Sequence, residues 1–162
     1  MTKQVAVILA GCGVYDGSEI YETTLTLLRL DQLGIGYHCF APDIEQHHVI
    51  NHLTQEVAEG EQRNVLQESA RLARGNIRPL DELDADNFDA VIVPGGFGVA
   101  KNLSDFASAS DNMQVLEALK ESLFGFRQEA KPIGLMCISP VLVPRLLGDG
   151  IAVTVGNDPA VS

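Results

Sequence analysis

Short, mostly apolar runs recur along the chain, and most of them stop at a glycine, a proline or a cysteine. Continuous apolar runs, as opposed to alternating ones, are typical of strands covered on both faces of a parallel sheet. The pattern predicts four main strands, a short edge strand and one further strand. The main strands are 5–10, 37–41, 88–93 and 132–136, the edge strand is 77–80, and the last strand is 151–155.

Segments with helical spacing of apolar residues lie between the strands. The first helix is predicted to be capped by Asp16, with Glu19 three residues on, or by Ser18 alone. Gly34 is predicted to end it. Its apolar face is predicted to contain Ile20, Thr24, Leu27 and Leu28. Further helices are predicted at 65–74, 113–128 and 140–147, and the polar segment 43–60 is predicted to be a solvated loop.

The alternation of strands and helices predicts a doubly wound parallel α/β sheet in a single domain over 1–162. Ligands of such sheets bind at the carboxyl ends of the strands. Three of these ends carry distinctive residues, namely 11–13, 94–96 and Cys137. We expect the three to converge on one site.

Cys137 stands where a predicted strand turns into a helix almost without a loop. Such a corner places the side chain above the sheet edge, on a sharp and strained turn. The N-terminus of the following helix favours the thiolate, which makes Cys137 a candidate nucleophile. The alternative is that Cys137 is one more buried small hydrophobic residue.

An acid and backbone amides complete the predicted site. Glu22 lies one turn into the first helix, among apolar residues, and a carboxylate there can exchange a proton with a thiol. Glu19 is an alternative, although it more readily serves the helix N-terminus. The backbone amides of Gly95-Gly96, together with the Ile138 amide, are predicted to form an oxyanion hole.

The other cysteines and the histidines are weaker candidates for the site than Cys137 and Glu22. Cys12, in the loop after the first strand, is either a packing residue or a resolving thiol for Cys137. Cys39 is predicted to be inert core. The cluster of His47, His48 and His52 invites a metal hypothesis, but a solvated loop is the preferred interpretation. We do not expect any of the three histidines to reach the cysteine.

Charge and motifs exclude several classes of function. The net charge of −11 argues against nucleic acid and anionic membrane surfaces as partners. The glycine-rich loops lack the spacing of a Walker or dinucleotide motif, so no cofactor or metal is expected. Three cysteines without paired spacing, and no signal-peptide pattern, predict a reducing cytoplasmic location.

Four stretches together resemble the ThiJ/PfpI superfamily and, within it, the isoprenoid-biosynthesis glyoxalases of the ElbB type. They are GCGVYDGSEI at 11–20, VINHLT at 49–54, PGGFG at 94–98 with KNL at 101–103, and GLMCISP at 134–140. The resemblance spans the chain and implies a flavodoxin-like sandwich. It implies Cys137 as the reactive group, Glu22 as the helix-borne acid, and Gly96 and Ile138 as the oxyanion positions.

The resemblance further implies a cofactor-free glyoxalase that acts on small dicarbonyls, and a homodimer. Two features depart from the pattern. Residue 138 is isoleucine where the peptidase-like branch has histidine, which argues against protease activity. The family's further strands and closing helix have no counterpart in this sequence, so the chain is expected to be a C-terminally shortened version. A regulatory protein that uses Cys137 as a reversible oxidation sensor is the alternative function, and a histidine-dependent hydrolase or amidotransferase is a third.

Overall fold

A five-stranded parallel sheet forms the centre of the chain, in the order β5-β2-β1-β6-β7. The computed structural model describes residues 2–148 and 150–156. The strands are β1 (Gln4–Ile8), β2 (Gly36–Ala41), β5 (Ile77–Pro79), β6 (Ala90–Val93) and β7 (Ile133–Leu135). The chain moves outward from β1 in one direction through β2 and β5, then crosses back to β6 and β7. This confirms the predicted flavodoxin-like α/β fold, and its topological switch point lies between β1 and β6.

Helices cover both faces of the sheet, and a small hairpin lies beyond its carboxyl edge. The hairpin pairs β3 (Ile50–Asn51) with β4 (Glu56–Val57). The helices are α1 (Ile20–Gln32), α2 (Val65–Ala73), α3 (Gly98–Lys101), α4 (Phe106–Ala109), α5 (Glu117–Gln128) and α6 (Val143–Leu147). A 3₁₀ turn, Ser139–Leu142, leads into α6.

Successive side chains of β1 point to opposite faces of the sheet, and they pack into two separate cores. Val7 packs with Leu27 and Leu30 of α1, together with Val65 at the start of α2. Ile8 packs on the opposite face, in a larger core built mainly from α5 and the segments around it. Burial on both faces explains why β1 reads as a continuous apolar run.

The first helix differs from the prediction at its cap and at its buried face. Glu19 is the N-cap, and its carboxylate accepts a hydrogen bond from the Glu22 amide at 2.7 Å. Asp16 and Ser18 do not cap the helix because tertiary contacts use their side chains: Asp16 accepts from the Ile50 amide and Ser18 from the Ala10 amide. The buried face consists of Thr23, Leu27 and Leu30, while Ile20, Thr24 and Leu28 are exposed.

Three other segments also differ from the sequence prediction. The predicted helix 113–128 begins only at Glu117, because Val115 is extended and bridges Ser104. The segment 43–60 contains the β3–β4 hairpin, with Val49 and Ile50 buried, and is therefore not a fully solvated loop. Residues 151–155 form no strand, and the side chains of Ile151 and Val153 are exposed.

Glycines join the loops at the carboxyl edge. The Gly98 amide donates to the Gly17 carbonyl at 2.9 Å, and the Phe97 amide donates to the Val14 carbonyl at 2.8 Å. A Cβ at Gly98 would lie 2.6 Å from the Gly17 Cα, and a Cβ at Gly17 would lie 3.0 Å from the Gly11 Cα. Because these distances leave no room for side chains, the loops 11–18 and 94–98 pack backbone against backbone.

Candidate active site around Cys137

Cys137 lies at a sharp corner between β7 and the turn that leads to α6. Its φ of 54° is left-handed, a conformation that costs a residue with a Cβ about 1–2 kcal/mol. The turn is closed by the Ser139 amide, which donates to the Met136 carbonyl at 2.9 Å. The buried Ser139 hydroxyl donates to the Pro94 carbonyl at 2.8 Å and so ties the corner to the end of β6. The Cys137 side chain is left exposed at the sheet edge.

Glu22 faces the cysteine across Gly95. Its Oε2 accepts a hydrogen bond of 2.8 Å from the Gly95 amide. A Cβ placed on Gly95 would lie 2.8 Å from Glu22 Oε2 and 2.9 Å from Cys137 Sγ, and it would overlap the cysteine Cβ. The carboxylate oxygen and the sulfur are therefore separated by less than the sum of these two distances. Only glycine at position 95 leaves the space between them open.

Gly96 and Ile138 line the same cavity as Cys137. The cavity has a volume of about 380 Å³ and is lined by Val14, Gly96, Phe97, Cys137, Ile138, Thr154, Val155 and Gly156. Within residues 2–148 and 150–156, neither the Gly96 amide nor the Ile138 amide donates to a protein acceptor. Neither amide is therefore committed to another described group, and their role as oxyanion donors stays a prediction.

Glu19 acts on the site through the backbone. Its carboxylate holds the Glu22 amide, and its own amide donates to the Gly95 carbonyl at 2.9 Å. These two hydrogen bonds fix the first turn of α1 against the exit of β6. The structure thus places Glu19 as a residue that positions Glu22, with its carboxylate committed to the helix cap.

Cys12 and Cys39 lie in environments unlike that of Cys137. Burial and the nearby Glu68 carboxylate raise the pKa of the half-buried Cys12 thiol, while Arg71 opposes that shift. Burial raises the pKa of Cys39 to about 11. Among the described residues no contact joins Cys12 to Cys137, so the resolving-thiol role stays a prediction.

A protein of known crystal structure has the same arrangement of strands and loops. It is an isoprenoid biosynthesis protein with an amidotransferase-like domain from Ehrlichia chaffeensis, and it is 43% identical. The two structures superpose with a TM-score of 0.86 over 93% of this chain and 68% of that one. The present chain belongs to the same amidotransferase-like family. This confirms the part of the sequence resemblance that concerns isoprenoid biosynthesis proteins with an amidotransferase-like domain.

Curated relatives of this amidotransferase-like chain are longer proteins. The human glutamine amidotransferase-like class 1 domain-containing protein 3, mitochondrial, is 51% identical over 155 residues. The zebrafish ES1 protein, mitochondrial, is 36% identical over 158 residues. The chain spans 58% of the length of each. No protein-family model matches the chain.

The predicted cytoplasmic location is wrong. The curated relatives are named as mitochondrial proteins, and this finding contradicts the cytoplasmic prediction. The prediction failed because unpaired cysteines indicate only a reducing environment, and cysteine usage does not tell one reducing compartment from another.

One histidine of this family member lies closer to the site than expected. His52 folds back onto the loop after β1, where its Nε2 accepts from the Tyr15 amide at 3.3 Å and lies 3.8 Å from Asp16 Oδ1. None of the described residues that line the cysteine cavity is a histidine. Glu22, which meets the thiol across Gly95, stays the predicted partner of Cys137.

Two residues that sequence reasoning did not single out shape this edge of the sheet. The buried Asn102 amide donates to the Ala10 carbonyl at 2.8 Å and to the Asp16 carbonyl at 3.0 Å. Lys101, one residue earlier, donates from Nζ to the Tyr15 carbonyl at 2.9 Å. Both belong to the KNL part of the resemblance at 101–103, which was the only signal for them in the sequence.

Among residues 2–148 and 150–156, no three His, Cys, Asp or Glu side chains come together in a way that could hold a metal ion. Among the helices of 2–148 and 150–156, none combines the length and the apolar character needed to cross a bilayer.

Proposed function

We propose that the chain is a cofactor-independent glyoxalase that converts glyoxal and similar small dicarbonyls to 2-hydroxy acids. One observation carries the proposal: an exposed cysteine at a strained corner faces a carboxylate across Gly95, beside two unoccupied backbone amides. A nucleophile, a proton carrier and an oxyanion site are the three parts that this isomerisation needs. The resemblance to ElbB-type glyoxalases supplies the substrate.

The reaction begins when the Cys137 thiolate adds to one aldehyde carbon of glyoxal. A carbon–sulfur bond forms, and the carbonyl electron pair moves onto oxygen to give a hemithioacetal. Gly96 and Ile138 line the same cavity as Cys137, which supports a role for their amides in stabilising this oxygen by hydrogen bonds.

Glu22 then moves the protons. It removes the proton from the carbon that carries sulfur, which gives an enediol, and returns a proton to the neighbouring carbon. The first carbon is thereby oxidised to a thioester and the second is reduced to a CH₂OH group, so no external oxidant or cofactor takes part. Water hydrolyses the thioester to glycolate and restores the thiol, for a balance of one glyoxal and one water to one glycolic acid.

The test is glyoxal consumption with detection of glycolate, without glutathione, on the wild type and on Cys137→Ala. We expect glycolate from the wild type and none above background from the variant. Cys39→Ala serves as a matched control, because Cys39 is buried in the sheet away from the cavity. Equal glycolate formation by the wild type and Cys137→Ala would refute the proposal, as would no turnover by a folded wild type.

We also propose that the functional unit is a homodimer formed through α1. Tyr21, Leu25 and Leu28 lie at i, i+4 and i+7 on this helix and are 76%, 61% and 48% exposed. A chain of net charge −11 repels a second copy, so association is favoured through an uncharged face, and this stripe is one.

Light scattering during size-exclusion chromatography tests the dimer. We expect a wild-type dimer and a Leu25→Glu monomer. Leu53→Glu is the control, since Leu53 is 92% exposed on the hairpin loop. A monomeric wild type, or a Leu25→Glu variant that stays dimeric, contradicts the proposed interface.

A further inference from the structure

A second cavity adjoins the cysteine cavity. It has a volume of about 330 Å³, and the two cavities share Phe97 and Ile138 as a common wall. Its lining consists of Tyr15, Ile50, Gln55, Phe97, Ala100, Lys101, Phe106, Ala107 and Ile138. A water molecule in the liquid occupies about 30 Å³, so a molecule of four heavy atoms such as glyoxal fills a small part of the space available. The site therefore has room for a larger substrate.

The wall of the second cavity is apolar and aromatic apart from a few groups, and one of these is a cation. Lys101 Nζ lies 5.7 Å from the centre of the Phe97 ring and donates one hydrogen bond, to the Tyr15 carbonyl. An ammonium group has three N–H donors, so two remain for a ligand. An apolar cavity with one placed charge is typical of a specific small-molecule site.

Lys101 differs from the other lysines in having no carboxylate partner. Lys3, Lys120 and Lys131 each form an ion pair, with Asp89, Glu117 and Glu129 respectively. In the described part of the chain no carboxylate lies within ion-pair distance of Lys101. This is notable in a chain with 22 acidic and 11 basic residues, where carboxylates are in excess.

We propose that the Lys101 cavity binds the carboxylate end of a substrate whose reacting carbonyl lies at Cys137. The preferred substrate is then a 2-oxoaldehyde with an apolar body and a terminal carboxylate. A monoanionic carboxylate suits this wall better than a phosphate dianion, because a single ammonium in apolar surroundings offsets the desolvation of one charge and not of two.

The electrostatics of Lys101 support this assignment. Burial lowers the pKa of the ammonium, and the Asp16 carboxylate opposes that shift from outside ion-pair distance. Partial burial makes the charged form of Lys101 less stable than it would be in water, and a bound carboxylate would offset this loss. The identity of the reacting end rests on the proposed function, whereas binding of an anion at Lys101 does not.

A pair of unreactive probes tests the subsite without turnover. Hexanoate and hexanamide have the same shape and differ in charge, and their dissociation constants can be measured by calorimetry on the wild type. We expect hexanoate to bind at least tenfold more tightly. We expect Lys101→Gln, which keeps a donor for Tyr15, to remove this difference, and Lys101→Arg to retain it. Lys120→Gln on α5 is the matched control and should leave the difference unchanged.

Equal affinity for the two probes in the wild type overturns the proposal. So does a preference for hexanoate that survives in Lys101→Gln. Circular dichroism and thermal melting of each variant verify that a lost preference does not result from unfolding.

A second experiment measures the turnover of two substrates that differ in one carboxylate. We expect the kcat/KM for 4-carboxyphenylglyoxal to exceed that for phenylglyoxal by about tenfold in the wild type and to equal it in Lys101→Gln. The two proposals can fail separately. Hexanoate selectivity without any turnover refutes the glyoxalase and keeps the subsite, and turnover without selectivity for the carboxylate does the reverse.

Discussion

The Glu22 carboxylate is held by the backbone of another element: its Oε2 accepts a 2.8 Å hydrogen bond from the Gly95 amide. The carboxylate is therefore anchored to the exit of β6, the segment that also touches Cys137. A movement of α1 as a whole would therefore disturb the position of the Glu22 carboxylate relative to the Cys137 thiol. This anchoring makes the geometry at Gly95 the most sensitive feature of the candidate site.

Substitution of Gly95 by alanine should remove activity while the chain still folds. The added methyl group would overlap the Cys137 Cβ and lie 2.8 Å from Glu22 Oε2, which pushes the two groups apart. A misplacement of about 1 Å costs on the order of 10²-fold in rate, and overpacking costs about 1–3 kcal/mol in stability. Glyoxal turnover and thermal melting are the measurements.

Gly134→Ala is the control for that experiment. Gly134 lies in β7, three residues before Cys137, and a Cβ there would meet the Ile92 side chain at 3.4 Å, an ordinary contact. We expect nearly wild-type turnover from this variant. Retention of full activity by Gly95→Ala would show that the space between thiol and carboxylate is not needed.

The Glu22→Gln variant tests the proton-transfer role of Glu22 while the hydrogen bond to the Gly95 amide is kept. The amide oxygen of glutamine can still accept the hydrogen bond from Gly95, so the fold is expected to persist. Loss of a general acid–base group lowers kcat by about 10²- to 10⁴-fold. Asp31→Asn, an exposed change on the same helix, is the control. A Glu22→Gln enzyme with wild-type kcat would exclude Glu22 as the proton carrier.

The three cysteines should react with iodoacetamide in a fixed order. Cys137 is exposed and reacts first. Cys12 is half-buried and has a raised pKa, so its thiolate fraction is smaller at neutral pH and it reacts more slowly. Cys39 is buried with a pKa of about 11, so at neutral pH it should react only in the unfolded protein. Peptide mass spectrometry over time measures the order, and initial labelling of Cys12 or Cys39 would contradict it.

The same peptides distinguish the enzyme from the alternative of an oxidation sensor. Mild peroxide should oxidise Cys137 before Cys12, because Cys137 is exposed whereas Cys12 is half-buried and has a raised pKa. Rapid and reversible formation of a Cys12–Cys137 disulfide would instead favour the sensor, with Cys12 as the resolving thiol.

Asn102→Ala should destabilise the fold at the carboxyl edge of the sheet. The amide group of Asn102 donates to the Ala10 and Asp16 carbonyls and accepts from the His47 amide at 3.0 Å. Leaving buried carbonyls without donors costs about 1–3 kcal/mol each, so we expect a loss of about 2–4 kcal/mol in the free energy of unfolding. Urea denaturation measures it, with the exposed Asn76→Ala as control; equal stability of the two variants would contradict the role of Asn102.

The sequence patterns predicted the fold correctly where the local signal and the tertiary packing favour the same structure. Continuous apolar runs end at 11–13, 94–96 and Cys137, and parallel topology alone brings those ends to one edge of a sheet. Glu22 could be singled out because it stands among apolar residues near the start of a helix. Its distance to the thiol depends on Gly95 and could not be inferred from spacing.

The sequence prediction failed where a distant partner competes with a local preference. Asp16 has the residue type of a helix cap, yet its carboxylate binds the Ile50 amide on the hairpin. Val115 has helical surroundings, yet it pairs with Ser104 and delays the start of α5. The sequence did not predict that Lys101 lies on a cavity wall, because this position results from the packing of α3 against the loop after β1.

The glycine contacts between the loops 11–18 and 94–98 have a consequence for how the site opens. The Gly13, Gly17, Phe97 and Gly98 amides all donate to carbonyls within or between these two loops. None of these hydrogen bonds can break alone without displacing the backbone packed against it, so the loops form one cooperative unit. In native-state hydrogen exchange the four amides should then share a single opening free energy, and the site should be lost and regained as a whole.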